Sequence, residues 1–205
     1  IDIMNKNNNL LILGAGQYGQ VAKETAELMG SFGKISFLDD RYVAEDGKCK
    51  GKQCDKSIIG AIDGFNGFVE EYAYAFVAIG NPAVRFIYTE KLKDAGYCIP
   101  VLVHPKAYVS PSAQIGEGSI VEAMAVVNAN TTIAECTYVC AGAVVNHNCV
   151  IGEGCTLQCG SDVPANSVMP EKTMLGYNEV YVKKYEEPIE KRTPVGNDYK
   201  FEDGM

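Results

Sequence analysis

The stretch VSPSAQ IGEGSI VEAMAV VNANTT IAECTY VCAGAV VNHNCV IGEGCT LQCGSD VPANSV MPEKTM L, residues 109–175, carries an aliphatic side chain at every sixth position. The series is Val109, Ile115, Val121, Val127, Ile133, Val139, Val145, Ile151, Leu157, Val163, Met169 and Leu175. With about a quarter of positions aliphatic by chance, such an unbroken row has a probability on the order of one in ten million. Four residues after each aliphatic stands a small one, from Ala113, Ser119 and Ala125 through Cys149, Cys155 and Ser161 to Thr173. A helix repeats every 3.6 residues and a strand every two, so neither produces a period of six. A parallel β-helix built of hexapeptides does.

Each hexad supplies one short strand and one corner of a coil. The aliphatic side chain fills the interior of the prism, and the small one fits where the corner crowds the axis. Three hexads close a turn of eighteen residues, and successive turns pair their backbones about 4.8 Å apart. Residues 109–175 therefore predict four coils, stable only as a stack whose ends are capped by other parts of the chain. Gly116, Asn128, Asn146 and Gly152 directly follow an inward aliphatic, and their turn-forming character assigns them to the corners.

At 205 residues the chain has room for two modest domains. A formal charge of −8 argues against nucleic acid or an anionic membrane as partner. No stretch approaches the ~20 apolar residues that span a bilayer, and no signal-peptide pattern is visible, so a soluble cytoplasmic protein is expected. The eight cysteines contain no CxxC pair. Cys149 and Cys155 take the small inward position of the repeat, which suits buried free thiols in a reducing compartment rather than a disulfide or zinc framework.

Upstream of the repeat the pattern changes. Residues 1–9 are polar and Asn-rich, a composition expected to be disordered. The apolar run Leu10–Leu13 passes directly into Gly14-Ala15-Gly16-Gln17-Tyr18-Gly19, after which Val21, Thr25, Leu28 and Met29 recur at helical spacing up to Gly30. A second run, Ile35–Leu38, ends in Asp39-Asp40. Strand, glycine turn, helix, strand and acidic residue follow one another as in a dinucleotide-type βαβ unit, where glycines let backbone approach a phosphate at a helix N-terminus. The chain before residue 100 is too short for a full NAD-binding domain. Residues 41–60 read as an irregular loop and 62–71 as a short helix. Ala75–Ile79 is a clean strand that leads into Gly80-Asn81-Pro82. Pro82 opens a helix reaching Gly96, with Val84, Ile87, Tyr88, Leu92 and Ala95 on its inner face. Cys98–Val103 reads as the last strand of a truncated parallel α/β sheet of four or five strands.

LILGAGQYGQVAKETAE, the FLDD at 37–40, VAIGNPAVR at 77–85 and VHPKAYVSPSA leading into hexapeptides occur in that order. Together they resemble one family over about residues 9–170: sugar O-acyltransferases that O-acetylate sialic acid, and N-acetyltransferases that act on UDP- or dTDP-4-amino sugars. The resemblance implies a Rossmann-like N-terminal domain (1–103) holding nucleotide or sugar. A left-handed β-helix (104–180) would follow, then an extended tail (181–205). It further implies a homotrimer with sites between neighbouring β-helices, and acetyl-CoA as donor.

The chain has two histidines. His147 lies two positions after the inward Val145, on the outer surface of a coil, and an imidazole there is suited to take a proton from an attacking sugar amine or hydroxyl. The family places its catalytic base in this motif. His104, before Pro105 at the entrance to the repeat, reads as a capping residue. Two histidines in a chain also fall short of the three metal ligands that hexapeptide carbonic anhydrases need, so no metal is expected. Gly14, Gly16, Tyr18, Gly19, Asp39 and Asp40 are expected to contact nucleotide or sugar, with Gly80, Asn81 and Arg85 in the same cleft (Arg85 could equally form a structural salt bridge). Gly160 and Ser161 are the expected contacts with CoA. The chain departs from the family pattern at Asn148, where an acidic residue usually follows the base and where a polar helper is expected here. It departs also at Thr156, where a second histidine is common, and in a repeat that ends near residue 175. These departures leave a second reading open: a weak or inactive homologue that binds nucleotide sugar or scaffolds a partner.

Overall fold

Four aliphatic residues without a polar interruption form a stable strand only if both faces are covered. Leu10–Leu13 (β1) is buried along its whole length. The computed structural model describes residues 7–43, 48–49 and 57–182. Expectations for residues 1–6, 44–47, 50–56 and 183–205 lie outside the described residues. After β1 come α1 (Gln17–Met29), β2 (Ile35–Leu38), the antiparallel pair β3 (Tyr42–Val43) and β4 (Lys48–Cys49), and β5 (Ile58–Gly60). A 3₁₀ helix (Ile62–Phe68), β6 (Tyr74–Val77) and α2 (Pro82–Asp94) complete the unit. Four strands form a parallel sheet in the order β5-β2-β1-β6, within the four or five strands expected, although β5 replaces the expected strand at 98–103. Residues 41–60 are less irregular than expected, since they hold β3, β4 and β5.

The helix faces differ from the expected ones. In α1 the buried residues are Gly19, Ala22, Thr25 and Ala26, while Leu28 is 52% exposed. α1 packs closely on β1 and on the first strand of the repeat, and only small side chains permit that approach. In α2 the buried residues are Arg85, Thr89 and Leu92, and Ile87 is exposed. One side of α2 meets the sheet, whereas Arg85 and Thr89 meet polar groups of the β-helix, a partner that a hydrophobic pattern does not register.

Among the described residues thirteen two-residue strands follow. They are β7 (Leu102–Val103), β8 (Tyr108–Val109), β9 (Gln114–Ile115), β10 (Ile120–Val121), β11 (Val126–Val127), β12 (Thr132–Ile133), β13 (Tyr138–Val139), β14 (Val144–Val145), β15 (Val150–Ile151), β16 (Thr156–Leu157), β17 (Asp162–Val163), β18 (Val168–Met169) and β19 (Met174–Leu175). They stack into three parallel sheets, β7-β10-β13-β16-β19, β8-β11-β14-β17 and β9-β12-β15-β18, the faces of a left-handed prism. Register is eighteen residues, as in Val127 opposite Val145. The aliphatic row from Val121 to Leu175 forms one buried cluster with Ala125, Ala143, Cys149 and Cys155. The expected last strand of the N-terminal sheet divides: Cys98 bridges Tyr74, but Leu102–Val103 pairs with β10 and opens the β-helix. At the other end Val180 bridges Asp162 and Tyr181 continues the inward row.

The corners have their own period. A left-handed residue recurs every six positions, at Gly118, Met124, Asn130, Cys136, Gly142, Asn148, Gly154, Gly160, Asn166, Lys172 and Asn178. The turn thus lies three residues after the aliphatic, not directly after it as expected. Gly116 and Gly152 serve close approach instead: a Cβ on Gly116 would lie 2.6 Å from the Glu135 backbone nitrogen of the next coil. At five of these corners the small residue that follows the left-handed one also closes a bond to the next coil. Ser119, Thr131 and Thr137 donate their hydroxyls, and Cys149 and Cys155 their thiols, to the carbonyl fifteen residues on. Both cysteines are fully buried and free, as expected.

The N-terminal unit docks on one face of the prism. Outward residues of β7, β10 and β13 (Leu102, Ile120 and Tyr138) are buried in a single cluster with Leu10, Ile12, Ala22, Phe37 and Phe76.

Candidate functional site

In an open parallel sheet, ligands bind beyond the carboxyl ends of the strands, where the order of connection reverses. Here that point lies between β1 and β6, and a cavity of about 460 Å³ opens there. Gly14 follows β1, Asp39 and Asp40 follow β2, Ala78 and Ile79 follow β6, and Ile62, Val84 and Tyr88 complete the wall. Gly14 needs its positive φ of 96°, and a Cβ there would also sit 2.9 Å from the Ala78 carbonyl oxygen. A Cβ on Gly19 would fall on the Gly14 carbonyl, so this glycine fits the helix against the turn and does not itself line the cavity.

Asp39 holds the turn in shape. Its carboxylate accepts from the Ala15 N–H at 2.8 Å and from the Arg41 guanidinium at 2.6 and 2.9 Å. Burial by itself would raise its pKa, but the Arg41 and Ala15 hydrogen bonds prevail and hold it at about 2. A permanent anion beside the glycine turn leaves less room for a phosphate than the sequence suggests. Its setting suits polar groups of a base, ribose or sugar instead. Asp40 accepts from the Ile62 N–H at 3.3 Å, and Tyr88 donates to Asp63 at 2.8 Å.

Several expected residues are committed elsewhere. Asn81 caps α2, accepting from the Ala83 and Val84 N–H groups. Gly16 is the N-cap of α1, and nothing lies within 4 Å of a Cβ built there. Tyr18 turns toward the β-helix, with its ring 5.2 Å from that of Tyr138 and its hydroxyl accepting from Gln158 at 3.3 Å. Gly80 packs under the Tyr18 ring. Arg85 is 0% exposed, does not line the cavity and, among the described residues, meets no carboxylate. Its Nε donates to Cys136 O at 2.8 Å, Nη1 to Ile79 O at 3.0 Å and Nη2 to Gly154 O at 3.0 Å. It is a clamp between the two parts of the chain, so both the ligand role and the salt-bridge role are corrected. Ile62, Val84 and Tyr88 are not among the expected lining residues. The switch-point geometry selects them, and no local pattern does.

His147 and Asn148 are exposed at the corner between β14 and β15. His147 Nδ1 lies 3.1 Å from Asn148 Nδ2. Because the N-terminal unit covers the β7–β19 face, this corner is on the opposite side of the prism from the cavity at Gly14 and Asp39. His104 acts as a cap, its Nδ1 accepting from the Lys106 N–H at 3.0 Å. Gly160 is exposed at a corner with φ 71°. Ser161 is fully buried in the prism, and its hydroxyl has no hydrogen-bond partner among the described residues. Among the described residues no helix is long and apolar enough to cross a membrane.

A parallel α/β unit with a switch-point cavity, docked on a hexapeptide prism with an exposed corner histidine, defines the hexapeptide-repeat acyltransferase class. The PglD N-terminal domain family matches residues 9–92. Over 115 residues the chain is 30% identical to UDP-N-acetylbacillosamine N-acetyltransferase of Bacillus subtilis (strain 168), a stretch that covers 56% of this chain and 51%, about half, of that relative. The acetyltransferase domain of PglB from Neisseria gonorrhoeae FA1090, solved in complex with acetyl coenzyme A, is 34% identical with a TM-score of 0.77, covering 85% of this chain and 82% of that one. PerB from Caulobacter crescentus, solved with CoA and GDP-perosamine, is 26% identical with a TM-score of 0.70, covering 85% and 89%. The chain belongs to the hexapeptide-repeat sugar acetyltransferases that include the PglB domain.

Proposed function

We propose that the protein transfers acetyl from acetyl-CoA to the amino group of a nucleotide-linked amino sugar. The observation that carries this reading is the 34% identity to an acetyl-CoA-bound acetyltransferase domain across both parts of the chain. The cavity at Gly14, Asp39 and Asp40 receives the nucleotide sugar. His147 is the general base: the sugar nitrogen attacks the thioester carbonyl, the imidazole takes the proton from that nitrogen, and collapse of the tetrahedral adduct expels CoA thiolate. Since cavity and base lie on opposite sides of one prism, the complete site needs a second copy, with His147 of one chain beside the N-terminal unit of the next. The assembly we propose is the homotrimer that the family resemblance implies. Exposed apolar residues on the two free faces, Tyr108, Val150 and Val168, support it.

The test is release of CoA thiol with UDP-, GDP- and dTDP-linked amino sugars and with sialic acid, beside His147→Ala. Turnover with one amino sugar that falls by about 10²- to 10⁴-fold in the variant is expected. The second reading, a nucleotide-sugar-binding homologue without turnover, is favoured by Asn148 where the family has an acid. It would be adopted if no acceptor releases thiol and acetyl-CoA leaves thermal stability unchanged.

A further inference from the structure

Asn130, Asn148 and Asn166 stand on one corner of three successive coils, eighteen residues apart, in the same left-handed conformation (φ 56°, 57° and 59°). Their amides form a ladder: Asn130 Nδ2 donates to Asn148 Oδ1 at 3.2 Å, and Asn148 Nδ2 donates to Asn166 Oδ1 at 3.2 Å. The second hydrogen of Asn148 Nδ2 points to His147 Nδ1, 3.1 Å away. A primary amide turned over has the same outline with donor and acceptor exchanged, so such a ladder has two polarities and must change between them as a unit.

The two polarities give His147 different chemistry. With Asn148 Nδ2 toward the ring, Nδ1 is an acceptor, the neutral ring carries its proton on Nε2, and its lone pair is occupied. With Asn148 Oδ1 toward the ring, Nδ1–H is the donor and Nε2 is a free base. Asn166 Nδ2 then donates to the same Oδ1, and Asn148 Nδ2 donates to Asn130 Oδ1. A carboxylate after the base would impose the second state by itself, because it only accepts. An amide cannot, unless its neighbours orient it. The acidic side chain one coil on, Asp162, is held by Asn146 Nδ2 at 3.2 Å.

We propose that Asn130 and Asn166 are positioning residues that set, through Asn148, the tautomer of His147, and that the productive polarity runs from Asn166 to Asn130. This rests on His147 being the base. The proposal goes further in giving a role to two residues that do not touch the ring.

Asn130→Asp and Asn166→Asp test it, because they add the same charge one coil to either side of Asn148 and differ only in the polarity they impose. A carboxylate at position 130 can only accept, which turns Asn148 Nδ2 toward it and Oδ1 toward the ring. A carboxylate at position 166 draws Nδ2 to the ring side. The imidazole nitrogen-15 shifts of full-length protein report the tautomer without any substrate. Nδ1–H, which needs the ladder turned over from the polarity described above, is expected in the wild type and in Asn130→Asp, and Nε2–H in Asn166→Asp, with kcat about tenfold or more lower in Asn166→Asp than in Asn130→Asp. Left-handed positions accept aspartate, so both variants are expected to fold, and circular dichroism checks this. The same tautomer in both variants overturns the proposal, as does Nε2–H in the active wild type. Turnover that survives His147→Ala overturns instead the assignment of the base, a separate result from the nitrogen-15 shifts.

Discussion

The guanidinium carbon of Arg85 lies 4.0 Å from the centroid of the Tyr138 ring, and this pair joins the N-terminal unit to the β-helix. Tyr138 in turn donates its hydroxyl to the Val77 carbonyl at 2.6 Å, at the end of β6. A fully buried guanidinium that meets no carboxylate among the described residues is stabilised by carbonyls from both units and an aromatic face that surround the charge.

Removing that clamp should be costly. Arg85→Ala leaves buried carbonyls without donors and is expected to lower unfolding free energy by about 3–5 kcal/mol. Arg85→Lys keeps the charge but not the planar fork and should recover little of the loss. Urea unfolding of both variants checks this, and a lysine variant as stable as the wild type would contradict it.

Close approach and turn conformation make different demands on corner glycines. Gly152→Ala would put a Cβ onto the Glu171 backbone of the next coil and is expected to destabilise by about 1–3 kcal/mol. Gly142→Asn, at φ 69° with open space around it, should stay within about 0.5 kcal/mol. Thermal melts of the two variants, run side by side, separate the two demands.

Asp39 couples the glycine turn to pH. Its folded pKa of about 2 lies below the unfolded value of 3.8, so it stabilises above pH 3.8 and that stabilisation is lost as pH falls through about 2. The Arg41 side chain is 38% exposed, and after allowance for solvent screening the contribution is about 1–2 kcal/mol. Asp39→Asn should be less stable at neutral pH and should converge with the wild type near pH 2 in urea titrations.

Tyr181 closes the open end of the prism, packing on the inward cluster and donating its hydroxyl to Val168 O at 2.9 Å. Tyr181→Ala is expected to cost about 1–2 kcal/mol, the burial of part of an aromatic ring. Hydrogen exchange should show the loosening confined to the last coil, around β18 and β19.

Much of this architecture is legible in residue order because it is local. A period of six with an aliphatic and a small residue at fixed offsets defines which side chains point inward, wherever the coil sits. Leu10–Leu13 followed by a glycine turn likewise announces a buried strand and a helix. His147 falls on an outer corner by its distance from Val145 alone. The stagger of the turn is not legible in this way. Gly116 and Gly152 look like turn residues, but the requirement they meet, room for the backbone of the next coil, is set by residues about eighteen positions away.

The repeat, the prism, the parallel α/β unit and the exposure of His147 all follow from residue order, since each depends on side-chain direction along a short segment. The face of the prism that the N-terminal unit covers does not, and it took the folded chain to show it. That contact buries Arg85 under Tyr138, turns Tyr18 away from the cavity and leaves Val84 and Tyr88 lining it. It also puts cavity and histidine on opposite sides of the prism. Such contacts join residues far apart in the chain, as Arg85 and Cys136 are, and a hydrophobic period contains no information about the partner that will meet a face.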